Sequence, residues 1–289
     1  MPLTLYTATG CAKCNVVRRF LDDHDLSFTE YNVRDADNTG FREFYASHRL
    51  SILRGKDGIY FPILFNGRKV YQDLLPILGF LQSGDRPLRF FLPSEQPKGW
   101  VGGIHTSAGD PTGVADLMAV LAHVRKSGFK VELFTDGSQP EVLQTIAEKK
   151  LGDRVIMEIC GPPGLYRAIT GKPLSAADLS LSIELAASFG DYRFRTVLLP
   201  FVRGDRGATG FLTTAEVAEI AELIKTVTGG NHHPFVVSSG YTGAVTGDHN
   251  QSTRTISLQE LFAYRTAARR YLVKTEIEQR SGNLLQEEA

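Results

Sequence analysis

Tyr6-Thr7-Ala8-Thr9-Gly10-Cys11-Ala12-Lys13-Cys14-Asn15 joins the β-rich run Leu3 to Thr7 to a run of helical pattern. Two of the chain's three cysteines stand here as a CxxC pair. Downstream, Val16, Val17, Phe20 and Leu21 recur at helical spacing, so the pair opens a helix directly after a strand. The unpaired amides and macrodipole of a helix N-terminus stabilise an anion. Such sites lower a thiol pKa from about 8.5 into the range of roughly 3.5–7.5. Lys13 adds a positive charge beside the pair. This placement nominates Cys11 as nucleophile and Cys14, one turn later and more buried, as resolving thiol. Half of a zinc site is an alternative, and it needs two further Cys or His ligands at close spacing. A purely structural CxxC is another.

The rest of the composition narrows the class. The 289 residues suit two domains, with 42% hydrophobic and 22% charged residues. Basic and acidic residues balance at 32 each, so nothing global favours nucleic acid or an anionic membrane surface. No apolar run approaches the roughly 18 residues that span a bilayer. Three cysteines without an export signal lead to the expectation of a reducing cytoplasm, where a CxxC is catalytic or metal-binding rather than a staple.

Working outward over residues 1–84, Phe28 to Val33 alternates as a strand, and Asn38 to Arg49 suits a helix with Phe41, Phe44 and Tyr45 on one side. Phe61 to Phe65, then Asn66-Gly67, then Arg68 to Val70 has the signature of a hairpin, because Asn-Gly favours the tight turn that matches strand twist. Asp73 is a plausible N-cap for a helix through Gln82. The order βαβα-ββα, with CxxC opening the first helix and Pro62 before the hairpin, resembles glutaredoxins and the thioredoxin-like superfamily. The resemblance implies thiol–disulfide exchange at Cys11 and Cys14 with Pro62 as a cis proline beside them. Lys13, Phe61 and Asp73 are the candidates for substrate or glutathione contact, and of these Asp73 stands in a place comparable to the family's glutathione-holding acidic residues. The sequence departs from the family at Ala12-Lys13, where Pro-Tyr is common, and at Val70 to Asp73, where a Gly-Gly step is usual. Glutathione is thus one candidate co-substrate and a protein disulfide an equal one.

Pro87, Pro93 and Pro97 make residues 85–99 an extended linker, with Phe90-Phe91 expected to dock onto a domain. Residues 100–289 alternate strand and helix: Val101 to His105, Val114 to Ser127, Phe129 to Phe134, Glu141 to Lys150, Arg154 to Ile159, Ala176 to Ser188, Arg193 to Leu199, Thr214 to Thr228, Pro234 to Ser238, and a long last helix from Leu258 to Arg280. Repeated β-α units imply a parallel sheet with right-handed crossovers, an open partial barrel or a small doubly wound sheet. The expected class is therefore α/β, a thioredoxin-like domain followed by a partial (β/α) barrel.

Gly103 to Pro111, then Val131 to Gly137, then Val155 to Ile159 and Tyr192 to Val197 resemble successive strands of radical S-adenosylmethionine enzymes, in particular the activating enzymes of anaerobic ribonucleotide reductase and pyruvate formate-lyase. That family holds an iron–sulfur cluster with CxxxCxxC, a motif this chain lacks. No cluster and no radical chemistry are expected. Ligands of open α/β sheets bind at the carboxyl ends of strands. The candidates there are Gly109, Asp110, Thr135, Asp136 and Glu158, with Cys160 standing alone. His232, His233 and His249 are metal-ligand types in polar loops, read as surface residues without a metal. The combined reading is a thiol–disulfide oxidoreductase whose partner is a disulfide-bearing protein or a small thiol, with specificity from the second domain. The alternative is a non-catalytic redox-sensing adaptor that binds a nucleotide-like ligand or a radical-enzyme partner.

Overall fold

A computed structural model of the chain describes residues 2–55, 58–203, 208–239 and 256–279. The chain divides into two compact units, Met1–Leu133 and Phe134–Ala289.

The amino-terminal segment contains β1 (Leu3–Thr7), α1 (Ala12–Asp23), β2 (Phe28–Asn32), α2 (Thr39–His48), the short strands β3 (Arg54–Gly55) and β4 (Gly58–Ile59), the hairpin β5 (Ile63–Phe65) and β6 (Val70–Gln72), and α3 (Leu74–Ser83). The sheet order is β2-β1-β5-β6. Strands β1 and β2 run parallel, whereas β5 lies antiparallel to both β1 and β6. This is a thioredoxin-like domain. Its cohesion follows from the sequence pattern. Helix α1 buries Val16, Val17, Phe20 and Leu21, the four apolar positions spaced for one face. Tyr6, Phe44, Ile52 and Ile63 form a core cluster on which Phe41, Tyr45, Phe61 and Phe65 pack. The Asn66-Gly67 turn closes as a hairpin: Gly67 has φ 84°, and the Asn66 side-chain oxygen accepts from the Arg68 and Lys69 amides.

Residues 85–99 do not hang free. Phe90 is fully buried, the Leu92 amide donates to the Gly103 carbonyl at 2.8 Å, and the His105 amide donates to the Phe90 carbonyl at 2.8 Å. The linker therefore pairs antiparallel with the strand beyond it. Gly103 permits this approach, since it has φ 74° and a Cβ there would run into the Leu92 carbonyl oxygen.

The remainder comprises β7 (Trp100–His105), α4 (Val114–Lys126), β8 (Lys130–Thr135), α5 (Pro140–Glu148), β9 (Arg154–Glu158), α6 (Tyr166–Thr170), α7 (Ala176–Ala187), β10 (Asp191–Leu198), β11 (Phe201–Arg203), β12 (Ala208–Gly210), α8 (Thr214–Thr228), β13 (Phe235–Ser239), α9 (Leu258–Ala268) and β14 (Thr275–Gln279). Six of these strands form a parallel sheet in the order β14-β13-β10-β9-β8-β7, flanked by helices as a partial β/α barrel. Strands β11 and β12 pair separately as a small antiparallel ribbon.

The long last helix expected from Leu258 to Arg280 is corrected by the structure. Helix α9 stops at Ala268, and Thr275–Gln279 adds a parallel edge strand in register with Phe235–Ser239. Two features account for the break. Thr275-Glu276-Ile277 carries strand alternation, and Arg269 turns back so that its Nε donates to the Thr275 carbonyl at 3.1 Å. Arg280 lies outside the described residues. Among those residues, no helix is long and apolar enough to cross a membrane.

Candidate active site

Cys11 is the N-cap of α1, and the Cys14 amide donates to Cys11 Sγ at 3.1 Å. The two form a disulfide with a Cα–Cα distance of 5.3 Å. They differ in access: Cys11 is half-buried, whereas Cys14 is 1% exposed. No acidic residue lies in the first turn of α1, so nothing there opposes an anion on Cys11 Sγ once the pair is reduced. The Phe61–Pro62 peptide is cis, and the Phe61 carbonyl oxygen lies 4.0 Å from Cys11 Sγ. Pro62 in turn accepts the Asp73 amide at 3.0 Å.

Behind this surface, Glu30 on β2 clamps α1 to the sheet. It accepts from Thr7 Oγ1 at 2.7 Å, from Arg18 Nε at 2.9 Å and from Arg18 Nη2 at 2.5 Å. The Arg18 guanidinium holds the Glu30 carboxyl below its usual range, with the Thr7 hydroxyl assisting. The clamp fixes the direction of the helix that carries the cysteines.

Lys13 and Asp73 are brought together. Lys13 Nζ lies 2.7 Å from Asp73 Oδ1, and the same carboxylate accepts the Leu74 amide at 2.8 Å and the Ser94 amide at 3.3 Å. Asp73 is 4% exposed, so both of its oxygens are engaged internally. Beside Lys13 runs a cleft of about 470 Å³. Gly58, Ile59 and Tyr60 form one wall and Ser94, Glu95, Gln96 and Pro97 the other. The Tyr60 hydroxyl donates to Glu95 Oε1 at 2.7 Å across 35 residues of sequence, and Gln96 Nε2 donates to Glu132 Oε1 at 3.0 Å. Tyr60 and the Ser94–Pro97 wall are the site residues that sequence reasoning missed. The proline spacing marked the segment as extended, but nothing local indicated which surface it lines.

The residues nominated in the second half fall in two separate groups. Gly109 and Asp110 belong to the first compact unit. Gly109 faces the Phe90 ring so closely that a Cβ would overlap it. Asp110 accepts the Thr112 amide at 2.9 Å and hydroxyl at 2.8 Å, and these bonds hold its carboxyl below the usual range. Thr135, Asp136 and Glu158 belong with the later strands. Thr135 Oγ1 accepts the Gly137 amide at 3.1 Å, and Asp136 Oδ1 accepts the Ser138 amide at 2.9 Å. Glu158 pairs with Arg195 at 2.7 Å on the neighbouring strand. Cys160 is 9% exposed and its amide donates to the Tyr166 hydroxyl at 3.1 Å. Burial pushes the Cys160 thiol well above its ordinary range, and the Glu158 and Asp136 carboxylates push the same way. His233 meets the Tyr192 hydroxyl at 2.7 Å through Nδ1. His249 lies outside the described residues. Among them, no cluster of three or more His, Cys, Asp or Glu side chains is arranged to hold a metal ion.

A CxxC at the start of the first helix of a βαβ-ββα sheet, beside a cis proline, has a counterpart among known families. Residues 3–56 match the glutaredoxin family. Among solved structures, this glutaredoxin-like segment is similar to NrdH-redoxin from Escherichia coli, described as a glutaredoxin-like protein with a thioredoxin-like activity profile. The match has 21% identity, covers 26% of this chain and 87% of that one, and has a TM-score of 0.21. The structural neighbours of the rest of the chain are radical S-adenosylmethionine enzymes. A domain of the pyruvate-formate lyase-activating enzyme from Bacteroides vulgatus matches at 14% identity over 62% of this chain and 99% of that one, TM-score 0.43. Coproporphyrinogen III oxidase from Escherichia coli, a radical SAM enzyme, matches at 14% over 60% and 41%, TM-score 0.36. These likenesses concern the fold. No curated protein matches the chain by sequence. Of the three cysteines, Cys11 and Cys14 are paired with each other and Cys160 is buried.

Proposed function

We propose that the chain is a thiol–disulfide oxidoreductase working through the Cys11/Cys14 dithiol. The observation that carries this is the accessible Cys11 at the N-terminus of α1, disulfide-bonded to a buried Cys14 beneath the Phe61 carbonyl. In the reduced protein, the Cys11 thiolate attacks one sulfur of a substrate disulfide. That S–S bond breaks, its electron pair leaves on the second substrate sulfur, and a Cys11–substrate disulfide forms. Cys14 then attacks Cys11 Sγ, breaking the mixed disulfide and releasing the second substrate thiolate. The two protons given up by the cysteines end on the two substrate thiols. The protein has lost two electrons and the substrate has gained two. An external thiol or dithiol reductant returns the pair to the reduced state.

The reading routes no step through an iron–sulfur cluster, for want of thiolate ligands. It assigns partner selection to residues 100–289, a reading supported by their own six-stranded parallel sheet, distinct from the four-stranded sheet of the cysteine pair. The test is turnover of insulin disulfides by the full chain, recharged by a thioredoxin- or glutathione-based system. The wild type turns over and Cys11→Ser does not. If the two proteins are equally inert across both systems, the reading fails.

A further inference from the structure

Lys13 puts a cation at a helix end that disfavours one. It is the second residue of α1, whose first turn holds no acidic side chain. The helix dipole repels an ammonium there, while a thiolate on Cys11, two residues back, is attracted to it. The opposing charge comes from elsewhere in the chain. Asp73 Oδ1 lies 2.7 Å from Lys13 Nζ, across 60 residues of sequence.

Asp73 is not free to leave that position. Its carboxylate also accepts the Leu74 amide at 2.8 Å and the Ser94 amide at 3.3 Å, and the residue is 4% exposed. Its own amide donates to the Pro62 carbonyl at 3.0 Å. On the other side of the cis Phe61–Pro62 peptide, the Phe61 carbonyl oxygen lies 4.0 Å from Cys11 Sγ. Asp73 is thus tied to both sides of the cysteine site, to the CxxC turn through Lys13 and to the cis-proline loop through Pro62. A carboxylate held in this way opposes, at Cys11, the attraction that Lys13 alone would supply. The same carboxylate caps α3 through Leu74, so one side chain serves the amino ends of two helices.

We propose that Asp73 is a positioning residue for the exchange at Cys11, acting through Lys13 to set the charge at the head of α1. This rests on the thiol–disulfide reading above and specifies what tunes its nucleophile. The lysine between the cysteines acts as half of a pair, and neither half is neutral in its effect on the thiolate. The Lys13 side chain is 24% exposed, so water screens the pair and keeps the effect to roughly threefold in thiolate population.

The experiment uses the full chain, reduced and freed of reductant. The rate of Cys11 alkylation by iodoacetamide is followed between about pH 4 and 10, with the label located by mass spectrometry. Asp73→Asn leaves the ammonium unopposed and should lower the midpoint of the profile by about 0.5 pH unit. Lys13→Gln leaves the carboxylate unopposed and should raise it by about as much, and the double variant should return close to wild type. Opposite signs with cancellation are a result that a merely structural role for Asp73 does not give. Midpoints that move in the same direction, a single variant within about 0.2 unit of wild type, or a double variant displaced further than either single would each overturn the inference. Should Asp73→Asn not fold, Lys13→Gln at its partly exposed position decides alone, and an unmoved or lowered midpoint is then the overturning result. Insulin turnover separates this inference from the reading beneath it. A wild type no more active than Cys11→Ser sinks the thiol–disulfide reading, whereas an active wild type with unmoved variant midpoints sinks only the role of Asp73.

Discussion

Asp73 is the residue on which backbone, helix cap and linker converge, so its replacement tests the site most directly. Its backbone sits at φ 71°, ψ 161°, a region that belongs essentially to glycine and costs other residues about 1–3 kcal/mol. The chain tolerates this because the carboxylate is over-determined by Lys13 Nζ at 2.7 Å, the Leu74 amide at 2.8 Å and the Ser94 amide at 3.3 Å. In Asp73→Ala, loss of the cap costs about 1 kcal/mol. The Ser94 amide loses its acceptor, which costs about 1 kcal/mol. Lys13 loses its counter-ion, but its side chain is 24% exposed and can reach water, so this adds only about 1 kcal/mol rather than the full cost of orphaning a buried charge. The expected destabilisation is about 3 kcal/mol, with the unfavourable φ retained. Asp73→Gly loses the same bonds but relieves the backbone, and should be about 1 kcal/mol more stable than the alanine variant. Asp73→Asn keeps an amide oxygen for Leu74 and should fall closest to wild type. Urea unfolding followed by the fluorescence of Trp100, the single tryptophan, gives the order. An alanine variant as stable as the glycine variant, or within about 0.5 kcal/mol of wild type, would refute this account of the site.

The remaining expectations concern other parts of the chain. Bonding to Arg203, with the Thr213 amide assisting, lowers the Glu216 carboxyl from 4.5 to about 2. A lowered pKa contributes stability that is complete above pH 4.5 and is lost as pH falls toward 2. After allowance for solvent screening the loss is about 1–2 kcal/mol, and Glu216→Gln should flatten acid unfolding in that window. Cys160 should resist alkylation at pH 8 in the folded protein and react fully in urea, so labelling of the native protein at that pH would contradict its burial. Gly109→Ala should cost about 1–3 kcal/mol by displacing the fully buried Phe90, and unchanged urea stability would show that the linker docks otherwise.

The order of elements was legible wherever a local signal sufficed. Helix α8 has the expected bounds because Thr213 and Glu216 form a capping box at one end and Gly229 turns left-handed at the other. The hairpin was legible from Asn66-Gly67, and the CxxC from the junction of β1 and α1. What escaped was non-local. The Arg195–Glu158 pair is written by strand register across 37 residues, which no local signal in the sequence announces. Strand β14 escaped because its pairing edge is supplied by β13, while its own composition also suits a helix. The cleft wall escaped for the same reason: Tyr60 and Glu95 meet only after the linker has docked.

Burial also orders the proposed exchange in time. Cys14 is 1% exposed, so a substrate disulfide can be attacked only by Cys11. Once the mixed disulfide exists, Cys14 is one helical turn away on the same rigid element, and its attack is intramolecular, with the large rate advantage that fixed geometry confers. The mixed disulfide is therefore short-lived in the wild type and accumulates when Cys14 is replaced by serine. Selection among substrates cannot wait for that intermediate. It must act at encounter, when the incoming disulfide first meets the accessible Cys11. It follows that a substitution that changes selectivity should alter the rate at which a disulfide captures Cys11 and leave the subsequent release step alone.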